Sequence, residues 1–349
     1  MNNRILYEES DYPIFQNRMY ESINDALNCP KGSLKIVEDL KTGLVYNELF
    51  SSELMVYDDN YQNEQAVSKL FREHLETVAD IILSSMGRNN LIEVGCGKGY
   101  FLELLGSKGF DVSGFDPTYE GPNSRIKRSY FQPGVMKPAQ GLILRHVLEH
   151  IENPFAFLDQ LKIANGGQGK IYIEVPCFDW ICEHNAWFDL FYEHVNYFRL
   201  SDFKRMFSQV EVCGRIFGGQ YLYAVAELSS LRKPVYDPSN TVAFPRDFNR
   251  ALDRHSEKSK IVVWGGASKG VIFALLKARM NDPVDIVIDI NPAKQGKYLA
   301  GTGLQVMSPE MGLRGLSKGS VIYVMNSNYI EEIKQMTNNE YNYVSFDNE

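Results

Sequence analysis

No stretch of this 349-residue chain is apolar over the roughly 20 residues needed to cross a bilayer, and Met1-Asn2-Asn3-Arg4 leads into no hydrophobic leader segment. No run of Lys or Arg exceeds two residues, and 44 acidic against 36 basic side chains leave a net charge of −8, so the footprint of a nucleic-acid or anionic-lipid binder is missing. Cysteine is scarce: Cys29, Cys96, Cys177, Cys182 and Cys213 are odd in number and form no CxxC, which excludes a disulfide framework and a Cys-rich zinc site. The expectation is a cytoplasmic protein with reduced thiols and a small-molecule partner, monomeric or homodimeric. There is also no GxGxxG and no P-loop, so NAD and ATP sites lack their usual fingerprints.

What is present is Leu91-Ile92-Glu93-Val94-Gly95-Cys96-Gly97-Lys98-Gly99-Tyr100, followed by a second apolar segment that ends in Asp116-Pro117. Strand, glycine loop, helix and strand make a nucleoside-binding βαβ unit, with Asp116 placed for ribose hydroxyls. The GxGxG pattern has an acid, Glu93, just ahead of it. An acid there suits a cationic ligand better than a pyrophosphate on a helix N-terminus. S-adenosylmethionine (SAM), with its sulfonium and amino group, therefore fits better than NAD.

Length implies two or three folding units. Residues 1–66 mix Pro, Asn, Tyr and acids, with short strands expected at 33–37 and 43–46 around a turn, and read as a small irregular domain. A helical repeat of apolar residues from Val67 opens a second unit, 67–231, in which strands at 91–94, 111–115, 141–145 and 171–175 alternate with helices. That alternation predicts a doubly wound parallel sheet, closed by a hairpin from strands at 210–213 and 219–227. After a proline-bearing connection, 232–349 reads as a Rossmann-like α/β domain with a helix at 246–256, strands at 261–264, 285–289 and 321–325, and the loop Gly265-Gly266-Ala267-Ser268-Lys269-Gly270.

Three segments could carry chemistry. The aromatic stretch Cys177–Phe198 follows a strand end, where ligands of such sheets bind, and contains His194, which titrates near neutrality, with Glu193, Tyr192 and Tyr197 beside it. Its alternative is a packed lid. His146-Val147-Leu148-Glu149-His150 matches an HxxEH zinc pattern in which His146 and His150 share a helix face, but it sits at the mouth of the nucleoside-binding sheet. Cofactor lining by Arg145 and His146, with local bonding or packing by Glu149 and His150, is the preferred reading, and no metal is expected. Finally, Ser268 and Lys269 in the second glycine loop suit a diphosphate, or else the loop is a tight structural turn.

The chain resembles the SAM-dependent sugar methyltransferases whose best-known members C-methylate nucleotide-activated keto-deoxysugars. The resemblance rests on Pro13–Arg18, Tyr57–Asn63, Glu93–Gly99, Arg145–His150, Glu193-His194 with Tyr197-Phe198, Gly265–Gly270 and Asp289–Tyr298. It implies a small, usually zinc-binding N-terminal domain, a class I methyltransferase domain, and a C-terminal Rossmann-like domain that closes the substrate site. In those enzymes a Tyr-His-Glu-His segment supplies the base; here it reads Phe191-Tyr192-Glu193-His194. Their CxxCG is Asp39-Leu40-Lys41-Thr42-Gly43 here, which implies that zinc has been lost.

The resulting expectation is methyl transfer from SAM to a nucleotide-activated sugar or related metabolite of polysaccharide or secondary metabolism. Glu93, Gly95, Cys96, Gly97, Gly99, Tyr100, Asp116, Pro117, Arg145 and His146 would contact the cofactor. His194 would be the base and Glu193 its orienting partner, with Tyr192, Tyr197, Ser268 and Lys269 at the substrate. O-methylation, a non-catalytic SAM-binding module and a nicotinamide dehydrogenase are the rival readings.

Overall fold

A computed structural model describes residues 3–55, 68–246, 248 and 260–345. The Tyr57–Asn63 motif and, apart from residues 246 and 248, the helix expected at 246–256 lie outside the described residues. At the N-terminus, β1 (Asn3–Pro13), helix α1 (Ile23–Leu27), β2 (Lys31–Asp39) and β3 (Val45–Asn47) form an antiparallel sheet. β2 and β3 match the expected short strands. The 11-residue β1 does not look periodic because Glu8, Glu9, Ser10 and Asp11 interrupt its apolar positions, and its pairing with β2 is broken by two register shifts. The block is thus a sheet rather than irregular.

Ser68 caps α2 (Lys69–Met86) by accepting the Phe71 amide, and the helix buries Phe71, Leu75, Val78 and Ile82 along one face. Then follow β4 (Leu91–Val94), α3 (Tyr100–Ser107), β5 (Val112–Phe115), β6 (Ile126–Lys127), β7 (Gly141–Arg145), α4 (Pro154–Ala164) and β8 (Lys170–Pro176). The chain continues through α5 (Phe178–Glu183), β9 (Asn196–Tyr197), α6 (Leu200–Met206), β10 (Val210–Ile216) and β11 (Tyr221–Glu227). Seven of these strands form one sheet in the order β10-β11-β8-β7-β4-β5-β6, in which β11 alone runs against the others. This is the doubly wound sheet with the closing hairpin, the class I methyltransferase architecture. β9 leaves it to pair with β3, tying the aromatic segment to the N-terminal sheet.

The third sheet has the order β14-β13-β12-β15-β16, all parallel, from β12 (Val262–Trp264), α7 (Lys269–Arg279), β13 (Ile286–Ile288), β14 (Val306–Met307), α8 (Pro309–Leu313), β15 (Val321–Val324), α9 (Ile330–Met336) and β16 (Asn342–Val344). β6, β14 and β16 were not foreseen, being only two or three residues long. In both parallel sheets the glycine loop leaves a strand, β4 or β12, whose two neighbours lie to either side in opposite chain direction of winding, the position where such sheets open a crevice. No helix among the described residues is long and apolar enough to cross a membrane.

The aromatic segment packs on the C-terminal sheet's first helix. Trp187, fully buried, stacks on Phe273 of α7 with ring centroids 5.3 Å apart. Trp187→Ala should therefore cost about 3–5 kcal/mol of stability, read as a lower midpoint in urea unfolding; a loss under 1 kcal/mol would mean the two units do not depend on this contact.

Candidate active site

Glu93 lies one residue before the end of β4, and the loop after the strand runs through Gly95, Gly97 and Gly99, all at positive φ (73°, 53° and 84°). A Cβ on Gly95 would strike Val147 and one on Gly99 would strike Ile126, whereas one on Gly97 would meet nothing within 4 Å. Two of the glycines serve packing, and the third leaves backbone open to a cavity. That cavity, about 440 Å³, is lined by residues of both glycine loops, among them Glu93, Cys96, Tyr100, Arg145, His146, His194, Ser268 and Asp289.

Glu93 is buried, and its Oε2 has no hydrogen-bond partner among the described residues. Burial pushes its carboxyl up to about 8, against the pull of Arg145. A buried acid with an orphan oxygen on a cavity wall fits a cationic ligand, which would restore the charged form. The loop amide of Gly97 donates to Asp116 Oδ2 at 2.8 Å, and Thr118 donates to Oδ1 from both its amide and hydroxyl. Asp116 is thus fixed by the loop it follows. It does not line the cavity, and neither do Gly99 or the exposed Pro117.

Beside β4, β7 delivers Arg145 and His146. The register pairs Arg145 with Glu174 on β8, and both guanidinium contacts to that carboxylate are 3.2 Å. Glu174 has no exposed surface and also takes His74 Nε2 at 2.9 Å, His146 Nε2 at 3.1 Å and Tyr172 Oη at 2.8 Å. Burial raises its carboxyl, but Arg145 and the two histidines outweigh that and hold it well below the usual range. Burial likewise works against a charged His146, yet Glu149 and Glu174 on its two nitrogens lift it to about 9. His146 keeps a positive φ of 51°, a conformation few non-glycine residues adopt, held by this pair of bonds and by its amide on the Glu174 carbonyl.

Across the cavity, His194 has no hydrogen bond among the described residues; its ring stands edge-on to Phe191 and to His150, each at 4.9 Å. Burial first, then His150 and His146, push it well below the ordinary histidine value, which keeps the ring neutral. Glu193, expected to orient it, instead points its carboxylate at the Gln16 amide (3.2 Å), while its carbonyl takes His150 Nδ1 (2.8 Å). Tyr192 and Tyr197 are built into the wall behind the cavity: Tyr192 Oη accepts the Ser51 amide, and Tyr197 Oη bonds the Phe191 backbone. Neither lines it.

On the C-terminal side, Ser268 donates to Asn17 Oδ1 at 2.9 Å and its amide to the Gln16 carbonyl, which docks the second glycine loop on the N-terminal segment. Lys269 already has counter-charge: Nζ lies 2.9 Å from Asp189 Oδ2 and 2.9 Å from Gln220 Oε1, over the Trp180 ring. It is therefore a poor phosphate ligand as it stands. Glu174 and His74 are not among the expected site residues, and Gln16 and Asp189 enter only within the Pro13–Arg18 and Cys177–Phe198 segments, with no role of their own. Glu174 leaves a signal as the single acid in the apolar strand Ile171-Tyr172-Ile173-Glu174-Val175.

Two family models match the chain: a methyltransferase domain over residues 60–211 and a C-methyltransferase C-terminal domain over 240–343. With this fold, they make the chain a SAM-dependent methyltransferase in class. No curated protein matches the sequence. Among solved structures, it is similar to the plantazolicin methyltransferase BpumL in complex with S-adenosylhomocysteine (SAH; 15% identity, TM-score 0.35, 47% of this chain and 85% of that one). It is also similar to the N-methyltransferase NodS from Bradyrhizobium japonicum WM9 (16%, 0.34, 45% and 96%) and to the methyltransferase domain of bacterial CtHen1 (20%, 0.36, 45% and 99%).

The cofactor is SAM, and Glu93, Gly95, Cys96, Gly97 and Tyr100 line a cavity that could hold it; when bound it supplies an electrophilic methyl group. Because Glu93 is largely protonated when the cavity is free and ionised beside a cation, binding SAM at pH 7 should release up to about one proton. Calorimetry in buffers of different ionisation enthalpy reads this, and Glu93→Gln should abolish it; unchanged release in that variant would remove Glu93 from the site. In the free protein the raised value acts the other way, so stability is lost as pH rises from about 4.5 through about 8.

Proposed function

We propose that this protein moves a methyl group from SAM to the carbon beside a ketone on a nucleotide-activated sugar, with His194 as the base that removes the proton from that carbon. The observation that carries the reading is His194 itself. It is a neutral imidazole with no hydrogen bond among the described residues, on the wall of the same cavity that holds Glu93 and the Gly97 backbone. Alignment of the acceptor against the methyl group contributes most of the rest.

The C-methyltransferase C-terminal model over 240–343 favours carbon as the acceptor atom. The nucleotide end would lie toward Ser268, Asp289 and Asn291, which line the C-terminal part of the cavity. Phe191 favours a second reading, O-methylation of a sugar hydroxyl, because it puts a ring without a hydroxyl against His194 where the resembling enzymes carry Tyr.

His194→Asn should lower turnover on a keto-sugar nucleotide by about 10²–10⁴-fold while leaving SAH affinity unchanged. In D2O the substrate's α-hydrogen should wash out with the wild type and not with the variant. Methyl transfer without that exchange would establish the oxygen reading, and near wild-type turnover of the variant would remove His194 as base.

A further inference from the structure

We propose that Glu149, His150 and His194 form a binding site for one divalent transition-metal ion in the cavity wall. One ligand atom from each lies within 4.8 Å of the others, although the residues come from two separate segments, the turn Leu148–His150 after β7 and the loop before β9. All three line the cavity. Two imidazoles and one carboxylate suit Zn²⁺, Co²⁺, Ni²⁺, Fe²⁺ or Mn²⁺ rather than the oxygen-seeking Mg²⁺ or Ca²⁺.

Each residue is prepared for the role in a different way. Glu149 is 1% exposed, and while its Oε1 meets His146 Nδ1 at 3.3 Å, its Oε2 has no partner among the described residues. A buried carboxylate oxygen left without a donor costs free energy that a cation would recover. His150 Nδ1 sits 2.8 Å from the Glu193 carbonyl. A carbonyl only accepts, so Nδ1 carries the hydrogen and Nε2 keeps its lone pair for a ligand. A backing bond of this kind is what orients metal-binding histidines. His194 has no competing hydrogen bond among the described residues.

The ligand pair is not the one spaced i, i+4 in the sequence. His146 has both nitrogens committed to Glu149 and Glu174, and supports the site by holding Glu149 in place. His194 replaces it from 44 residues beyond His150.

A bound ion takes the lone pair with which His194 would act as base, so loading the site would switch methyl transfer off. That consequence rests on the base reading above; metal binding itself does not. The test uses the full chain stripped with a chelator and titrated with Co²⁺ alone, without SAM or acceptor, followed by visible absorption and calorimetry. One Co²⁺ per chain should bind, with the intense visible bands of a low-coordinate nitrogen-oxygen site. Glu149→Gln and His194→Asn should each weaken it by at least about 100-fold, while His184→Asn, at a histidine stacked on Trp180, should bind as the wild type does. SAH binding by the two ligand variants shows that they are folded. Absence of stoichiometric Co²⁺ binding, or binding that survives both ligand variants, would overturn the site. Loss of turnover in His194→Asn with Co²⁺ binding intact would likewise overturn it and leave the base reading standing.

Discussion

A carboxylate with no surface exposed to water, Glu174, sets the arrangement around it. Buried without partners, such a charge would cost several kcal/mol; here it takes Arg145, His146, His74 and the Tyr172 hydroxyl. Each partner comes from a different place, α2, β7, the turn after it, and β8 itself. The one acid therefore pulls the long helix against the sheet and fixes Arg145 and His146 on the cavity wall. It also secures His146 in its left-handed conformation, and through His146 it reaches Glu149. Removing the acid would leave Arg145 without its carboxylate and His146 with Glu149 alone, so the site's geometry and the core's integrity are not separable here.

A second constraint is repeated in the two parallel sheets. The Gly97 amide donates to Asp116 Oδ2 at 2.8 Å, and the Gly266 amide donates to Asp289 Oδ2 at 2.9 Å. Each acid also caps the turn that follows it, Asp116 through Thr118 and Asp289 through Asn291. The acid at the end of one strand thus pins the glycine loop of its neighbour. The second loop then meets the aromatic segment through the N-terminal segment, where Gln16 and Asn17 bond Glu193 on one side and Ser268 on the other. Three segments far apart in sequence form one wall.

Much of this was readable beforehand. Regular alternation of apolar strands and helices foretold the central sheet, because strands buried on both faces are nearly continuous apolar runs, and Glu93 with its glycines stands on the wall of the cavity. β1 was hidden by its polar residues, and β6, β14 and β16 are too short to carry a pattern. Partnerships were the least legible feature. Sequence can say that Glu193 and His194 are adjacent, but not that the chain bends at Tyr192 and Glu193 and turns the Glu193 carboxylate to Gln16. Lys269 similarly looked like a phosphate ligand until Asp189, brought by the turn at Trp187, took its charge.

The central claim is that the cavity beside Glu93 receives SAM and presents its methyl group toward His194. Its most direct test is a crystal structure of the protein with SAH. The account predicts the homocysteine amino group near Glu93, the backbone of Gly97 against the ligand, and the sulfur facing His194 across the cavity. SAH seated instead on the C-terminal loop at Gly266 and Asp289, or with its sulfur turned away from His194, would contradict it.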